Sequence, residues 1–151
     1  MSQRDKVWDF QVATGQPANL VPCTPPDARV RLRVELVVEE TLELVEASFA
    51  DSAAMRTILP RIRADLAMLV RDGQVSVDLP AVADALADIK YVVVGYELEA
   101  GINGEPVFDL VHVTNMAKLT GPVREDGKRL KPPGWQPPDV AGELRRQGWR
   151  G

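Results

Sequence analysis

The sequence predicts an all-α protein, and three observations carry that prediction. Every long periodic segment repeats its apolar residues at helical spacing, no alternating apolar and polar run exceeds a few residues, and the segment ends carry helix start and stop residues. At 151 residues and 45% hydrophobic, the chain suits one domain with its own core. That domain is expected to span residues 1–151, with a helical core over 27–120 and a C-terminal arm over 121–151.

Arg4 to Thr14 reads as a short amphipathic helix with Val7, Phe10 and Val12 apolar and Gly15 as its stop. Gly15 to Pro26 is rich in Pro, Gly and Asn without a period, which predicts a surface loop. The next helix runs to about Ala50, with Thr24 as its cap, Pro25 in its first turn, where a missing N–H costs nothing, and Asp27 at the positive end of the dipole. From Ser52 to Val70, Ile58, Ile62, Leu66 and Leu69 form one stripe, and Pro60 is expected to start, kink or split that helix. Val75-Ser76-Val77 is an extended connection. Asp78 and Pro80 open a long helix to Ala100, with Gly101 in the C′ position that favours positive φ. Asn103 and Pro106 begin another, reaching about Lys118 before Gly121-Pro122. The remainder predicts a hairpin around Asp126-Gly127, a Pro-rich stretch, and a last short helix over Asp139 to Gln147. This arm is expected to pack on the helical body or on a neighbouring subunit.

A net charge of −4 argues against nonspecific nucleic-acid binding, which needs a basic surface to neutralise phosphates. No window approaches the ~20 apolar residues of a membrane span. The single cysteine, Cys23, forms no internal disulfide, and the first residues lack an apolar run of signal length, so the expected compartment is the cytoplasm. The helices carry more apolar surface than a thin bundle hides, which predicts a homodimer or homotetramer.

Carboxylates are the chemical signal. On the second helix Val34, Val37, Val38, Thr41 and Val45 gather on one side and Glu35, Glu39, Glu43 and Glu46 on the other, with Glu40 on the flank nearest Glu43. A solvated face is normally interleaved with Lys or Arg, and none occurs between Arg33 and Arg56. Asp84 and Asp88 lie one turn apart inside the nearly continuous apolar stretch Ala81 to Ile89, which predicts burial over most of that helix. Buried carboxylates need a partner. A structural ion pair with Arg31 or Arg33 is the plain explanation. A hard-cation site for Mg²⁺ or Mn²⁺, with Glu39, Glu40, Glu43, Asp84 and Asp88 as metal ligands, accounts for more of the pattern. Zinc is disfavoured, because His112 is the only histidine and Cys23 lies in a loop.

Glu39-Glu40-x-x-Glu43 followed by Asp84-Ala-Leu-Ala-Asp88 resembles the paired-helix signature of the MazG-like and phosphoribosyl-ATP pyrophosphohydrolase superfamily. Tyr91-Val-Val-Val-Gly95, Ala100-Gly-Ile-Asn103, Asn115-Met-Ala-Lys118, the segment Arg124 to Lys128 and Lys131-Pro-Pro are similar to one bacterial and phage branch, so the likeness spans Arg29 to Trp149. One departure stands out. The common second motif is Glu-x-x-Asp, and this chain has Ala85 where that glutamate falls, leaving Asp84 to replace it. The resemblance implies an all-α, at least dimeric enzyme that cleaves a nucleoside triphosphate between its α- and β-phosphates for nucleotide-pool control, with dUTP, dGTP or a modified nucleotide as substrate. It implies Glu40 and Glu43 as catalytic candidates that position the attacking water or take its proton. Lys118, Lys128 and Lys131 would hold the outgoing diphosphate, and Asn115 would donate to a phosphate or sugar oxygen. Tyr91 and Trp8 complete the substrate-contact set, with Phe10 and Asn19 as further candidates for the base.

Three other readings compete. A phosphoribosyl-ATP pyrophosphohydrolase of histidine synthesis shares the metal site and the bond broken, but the long Pro-rich tail after Lys118 ranks it second. A noncatalytic regulator whose acidic face binds a basic partner would work in chelator. A purely structural four-helix bundle leaves the two aspartates unexplained.

Overall fold

The computed structural model describes residues 1–125 and 129–151. Its elements are α1 (Gln3–Ala13), α2 (Asp27–Ser48), α3 (Ala53–Asp72), α4 (Leu79–Glu99), α5 (Gly104–Ala117), a 3-10 turn (Lys118–Thr120) and α6 (Val140–Arg146). Among the described residues there is no strand, only the isolated antiparallel bridge Val123 to Arg129. The all-α expectation therefore holds. The tip of the expected hairpin, Asp126 to Lys128, lies outside the described residues, and the bridge flanks it.

The chain divides into two compact units, Cys23–Leu79 and Met1–Pro22 with Pro80–Gly151. The first is the antiparallel hairpin of α2 and α3. Its start differs from the sequence expectation: Thr24 does not cap α2, and Pro26 is the N-cap, with φ −58° and ψ 150° and no side-chain hydrogen bond. A residue preceding proline is pushed out of the helical region, which keeps both Thr24 and Pro25 outside the helix. Pro60 neither starts nor splits α3, which runs unbroken through it. Pro60 and Arg56 are both exposed, so water can reach the Arg56 carbonyl that loses its usual donor.

The hairpin closes through polar contacts at both ends. Arg31 Nη1 donates to the carbonyls of Val70 and Arg71, and Nη2 donates to Gly73 O at 2.7 Å, so α2 caps the C-terminus of α3. At the other end Arg63 pairs with Glu46 at 2.8 Å. The apolar side chains withdrawn from water include Leu32, Leu36, Val38, Leu42 and Val45 of α2 and Met55, Leu59, Leu66 and Val70 of α3, all buried or half-buried. The stripe expected from periodicity is thus turned: Ile58, Ile62 and Leu69 are exposed, with only Leu66 half-buried. α3 is apolar over more than one stripe, and periodicity does not say which stripe meets α2.

In the second unit α5 is central. α1 lies on it through Gln3 Nε2 donating to Glu105 Oε1 at 2.9 Å and an ion pair of Lys6 with Asp109. Asn103 caps α5 by accepting from Glu105 N–H, as its sequence predicts. α4 ends in a Schellman motif on Gly101, φ +69°, with Gly101 N–H to Leu98 O and Ile102 N–H to Glu97 O at 2.8 Å. The C-terminal arm packs on its own unit: Gln147 accepts from Asn103 N–H and donates back to Asn103 O, and Trp135 Nε1 donates to Thr114 O. Gly121 is needed where the arm turns back, because a Cβ there would meet Leu130 O at 2.1 Å.

Helix α4 departs most from expectation. Every residue from Pro80 to Val94 is exposed in the single chain, including the helical stripe Val82, Leu86, Ile89 and Val93 at 41–45%. Among the described residues only Leu32 and Leu59 are buried apolar side chains. Asp84 and Asp88 are therefore exposed rather than buried, and their desolvation is not what calls for a partner. No described helix is long and apolar enough to cross a membrane.

Candidate functional site

The acidic set arises on two elements. Glu39, Glu40 and Glu43 sit on α2, all exposed, and the unbroken helix keeps Glu39 and Glu43 one turn apart on one face. Asp84 and Asp88 occupy consecutive turns of α4. Within each unit taken alone, no group of three or more His, Cys, Asp or Glu side chains among the described residues is gathered to hold a metal ion.

The ion-pair explanation of the aspartates loses its first candidate. Arg31 spends its guanidinium on the α3 carbonyls. Among the described residues, Glu43, Asp84 and Asp88 make no side-chain hydrogen bond or ion pair. Glu46 differs, because Arg63 of α3 supplies the basic partner that α2 lacks after Arg33. A donor set made only of carboxylate oxygens suits a hard divalent cation.

A second cluster forms in the unit built on α5. Lys118 Nζ donates to Asn115 Oδ1 at 2.8 Å, three residues back, where the helix tightens into its 3-10 turn. The same ammonium lies 5.4 Å from the centre of the Trp135 ring, and Lys131 Nζ lies 4.6 Å from it. Of the residues grouped in the sequence by resemblance, Lys118 and Lys131 thus lie over one indole, and Asn115 is tied to it through Lys118. Trp135 was missed in that reading, although a tryptophan among prolines in an arm signals docking on a body. Lys128 lies outside the described residues.

The remaining candidates are scattered. Trp8 and Asn19 line one cavity of about 520 Å³ together with Arg4, Gln11, Lys90 and Phe108. Phe10 does not line it. Tyr91 is 82% exposed on α4.

The arm carries one further polar knot. Glu143 is buried and accepts from Gln147 Nε2, Arg146 Nε and Arg146 Nη2, which hold its carboxyl below its ordinary value.

The profile of the phosphoribosyl-ATP pyrophosphohydrolase family matches residues 7–115. The match reaches back to Val7 within α1, further than the sequence resemblance did, and stops at Asn115, before Lys118 and the arm. A proposed NTP pyrophosphohydrolase from Exiguobacterium sp. 255-15 has a similar crystal structure, with 26% identity, 97% of this chain and 94% of that chain covered, and a TM-score of 0.66. No curated protein is significantly similar to the chain. With the family profile spanning well over half of the sequence and the fold shared along nearly all of it, the chain belongs to the phosphoribosyl-ATP pyrophosphohydrolase family, and it is an all-α pyrophosphohydrolase.

Proposed function

We propose that this enzyme hydrolyses a nucleoside or deoxynucleoside triphosphate between its α- and β-phosphates, releasing the monophosphate and pyrophosphate. The approach of Lys118 and Lys131 to one ring, Trp135, with Asn115 accepting from Lys118, carries the reading, because it brings basic groups to the part of the chain where a diphosphate would be held. Lys118, Lys131 and Trp135 lie beyond the segment matched by the family profile, which ends at Asn115, and this favours a triphosphate over phosphoribosyl-ATP as substrate.

Glu39, Glu40 and Glu43 of α2 and Asp84 and Asp88 of α4 are the residues that would hold Mg²⁺ or Mn²⁺. When bound, such cations supply neutralisation of phosphate charge and acidify a water. Glu40 or Glu43, whichever carboxylate is not fully used as a ligand, would take a proton from the water that attacks the α-phosphorus. Lys118 and Lys131 take up the charge that develops on the departing diphosphate, and Asn115 sets the orientation of Lys118. The cavity with Trp8 and Asn19 offers an indole face and an amide for a planar base. Its other lining groups include Arg4 and Lys90.

The active form is a homodimer or homotetramer in which a second copy covers α4. The stripe Val82, Leu86, Ile89 and Val93, with Tyr96 continuing it at 51% exposure, has the spacing of a helix–helix seam. Removing such a stripe from water is worth ~25 cal/mol per Å².

The decisive experiment is a panel of NTPs, dNTPs, modified nucleotides and phosphoribosyl-ATP with Mg²⁺ or Mn²⁺, analysed for products. Monophosphate with pyrophosphate is expected. Nucleoside diphosphate with phosphate would show that a different bond is broken, and turnover of phosphoribosyl-ATP alone would favour the second reading.

A further inference from the structure

The cavity beside Trp8 is formed within one compact unit, by three helices and a loop. Arg4, Trp8 and Gln11 share one face of α1, four and then three residues apart, and Asn19 comes from the loop that follows. Lys90 enters from α4 and Phe108 from α5. Trp8 and Phe108 are half-buried, and the volume of about 520 Å³ falls within the ~300–1,000 Å³ usual for small-ligand sites. Two of the lining side chains are charged, Arg4 and Lys90, and both are cations; no carboxylate lines the cavity. Among the described residues neither cation makes a hydrogen bond or ion pair, and the Trp8 indole N–H has no acceptor. Asp5, next to Arg4 in the chain, is committed to Ser2 N–H and Ser2 Oγ and does not line the cavity.

A guanidinium, an ammonium and an indole N–H donate hydrogen bonds and cannot accept them. An exocyclic oxygen of a base facing these donors gains a charge-assisted hydrogen bond. An exocyclic amino group in the same place finds no acceptor, is repelled by the cations and loses water without replacement. We infer that the cavity selects oxo bases, of which uracil and hypoxanthine are the simplest, against their amino counterparts cytosine and adenine, and that Arg4 and Lys90 set this preference. This rests on the proposed reaction only in placing the base of the nucleotide in this cavity.

Binding of nucleoside monophosphates to the full-length protein, measured by calorimetry in chelator, tests the preference without turnover. Deoxyuridine monophosphate is compared with deoxycytidine monophosphate, and inosine monophosphate with adenosine monophosphate. Within each pair the sugar and phosphate are the same, so attraction of the phosphate to the cations cannot separate the two members. The oxo member of each pair should bind roughly fivefold more tightly. Arg4 and Lys90 are exposed, so replacing both with methionine should leave the protein folded, which circular dichroism checks. In that double variant the oxo and amino members should differ by less than about twofold, because stacking on Trp8 does not distinguish them. Equal affinities within both pairs for wild type overturn the inference, as does a full preference retained by the folded double variant or the absence of binding by every monophosphate. If the double variant does not fold, Arg4→Met and Lys90→Met are measured singly, and an unchanged preference in both overturns the inference equally. The two proposals fail separately. Nucleotide hydrolysis with equal affinity for oxo and amino bases removes the selectivity and leaves the reaction. An oxo preference without hydrolysis of any nucleotide removes the reaction and leaves the selectivity.

Discussion

Arg31 Nη2 donates to Gly73 O at 2.7 Å, joining the first turns of α2 to the end of α3. The same guanidinium takes the Val70 and Arg71 carbonyls, three acceptors that a helix C-terminus leaves without N–H partners. Replacing Arg31 with methionine keeps much of the stem and removes the donors. Hydrogen bonds to a charged group contribute ~1.5–3 kcal/mol each, and water can recover part of that at a half-buried site. Urea denaturation of Arg31→Met should therefore show a loss of about 2 kcal/mol, and an unchanged midpoint would show that the cap is not stabilising.

Pro60 gives an opposite expectation. A proline inside a helix costs ~3 kcal/mol relative to alanine, whereas its restriction of the unfolded chain returns only ~1 kcal/mol at most. Because α3 is continuous through Pro60, the first effect dominates and Pro60→Ala should raise the melting temperature. A lower melting temperature would mean that the proline shapes the hairpin end, where it lines a cavity with Phe49, Met55 and Arg63.

Asp88→Asn should abolish pyrophosphate release while leaving stability within about 0.5 kcal/mol in the absence of metal, as for a surface substitution. Asp88 is exposed, and among the described residues its side chain makes no ion pair that the change would break. Melting curves with and without Mg²⁺ should separate wild type, which gains stability from the cation, from the variant, which gains less. A large loss without metal combined with normal turnover would remove Asp88 from the metal set.

Glu143 provides a pH-dependent test. Hydrogen bonds from Gln147 and then Arg146 lower its folded-state pKa from the ordinary 4.5. The folded state therefore binds its proton less readily than the unfolded chain. The stabilisation is complete above about 4.5 and is lost as the pH falls through the lowered value. Glu143→Gln should melt below wild type near neutral pH, with the gap narrowing only under acid conditions. A gap that is constant from neutral to strongly acid pH would assign the effect to shape rather than charge.

A charged residue at Leu86 tests the proposed seam. In the single chain Leu86 is 45% exposed, so a glutamate there costs the monomer little. Between two copies it would bury an unpaired carboxylate, at a cost of several kcal/mol. Sedimentation should show wild type as a dimer or tetramer and Leu86→Glu as a smaller species. An unchanged sedimentation coefficient would place the subunit contact elsewhere.

The helices and most of their ends were legible from the residues alone, because helix formation is local. Asn103, Asp139 and Gly101 act within one turn of themselves, and their caps are where the sequence puts them. The acidic residues of α2 and the Asp84–Asp88 pair were legible for the same reason, since a spacing of four residues sets a shared face without any tertiary contact. Which apolar stripe of α3 meets α2 was not legible, because Ile58 and Leu59 are equally apolar and only the partner helix distinguishes them. Burial of α4 was inferred from its composition, yet hydrophobicity says that a face must leave water, not which chain covers it. Nor could spacing bring Lys118 and Lys131 to one indole. The turn that bonds Trp135 N–H to Pro132 O and the hydrogen bond from the Trp135 ring to Thr114 O do that, joining residues separated along the chain by a loop. The sequence by itself determined the helices and the carboxylates they carry; the tertiary structure decided which faces are covered and which cations share a ring, since both depend on contacts through space.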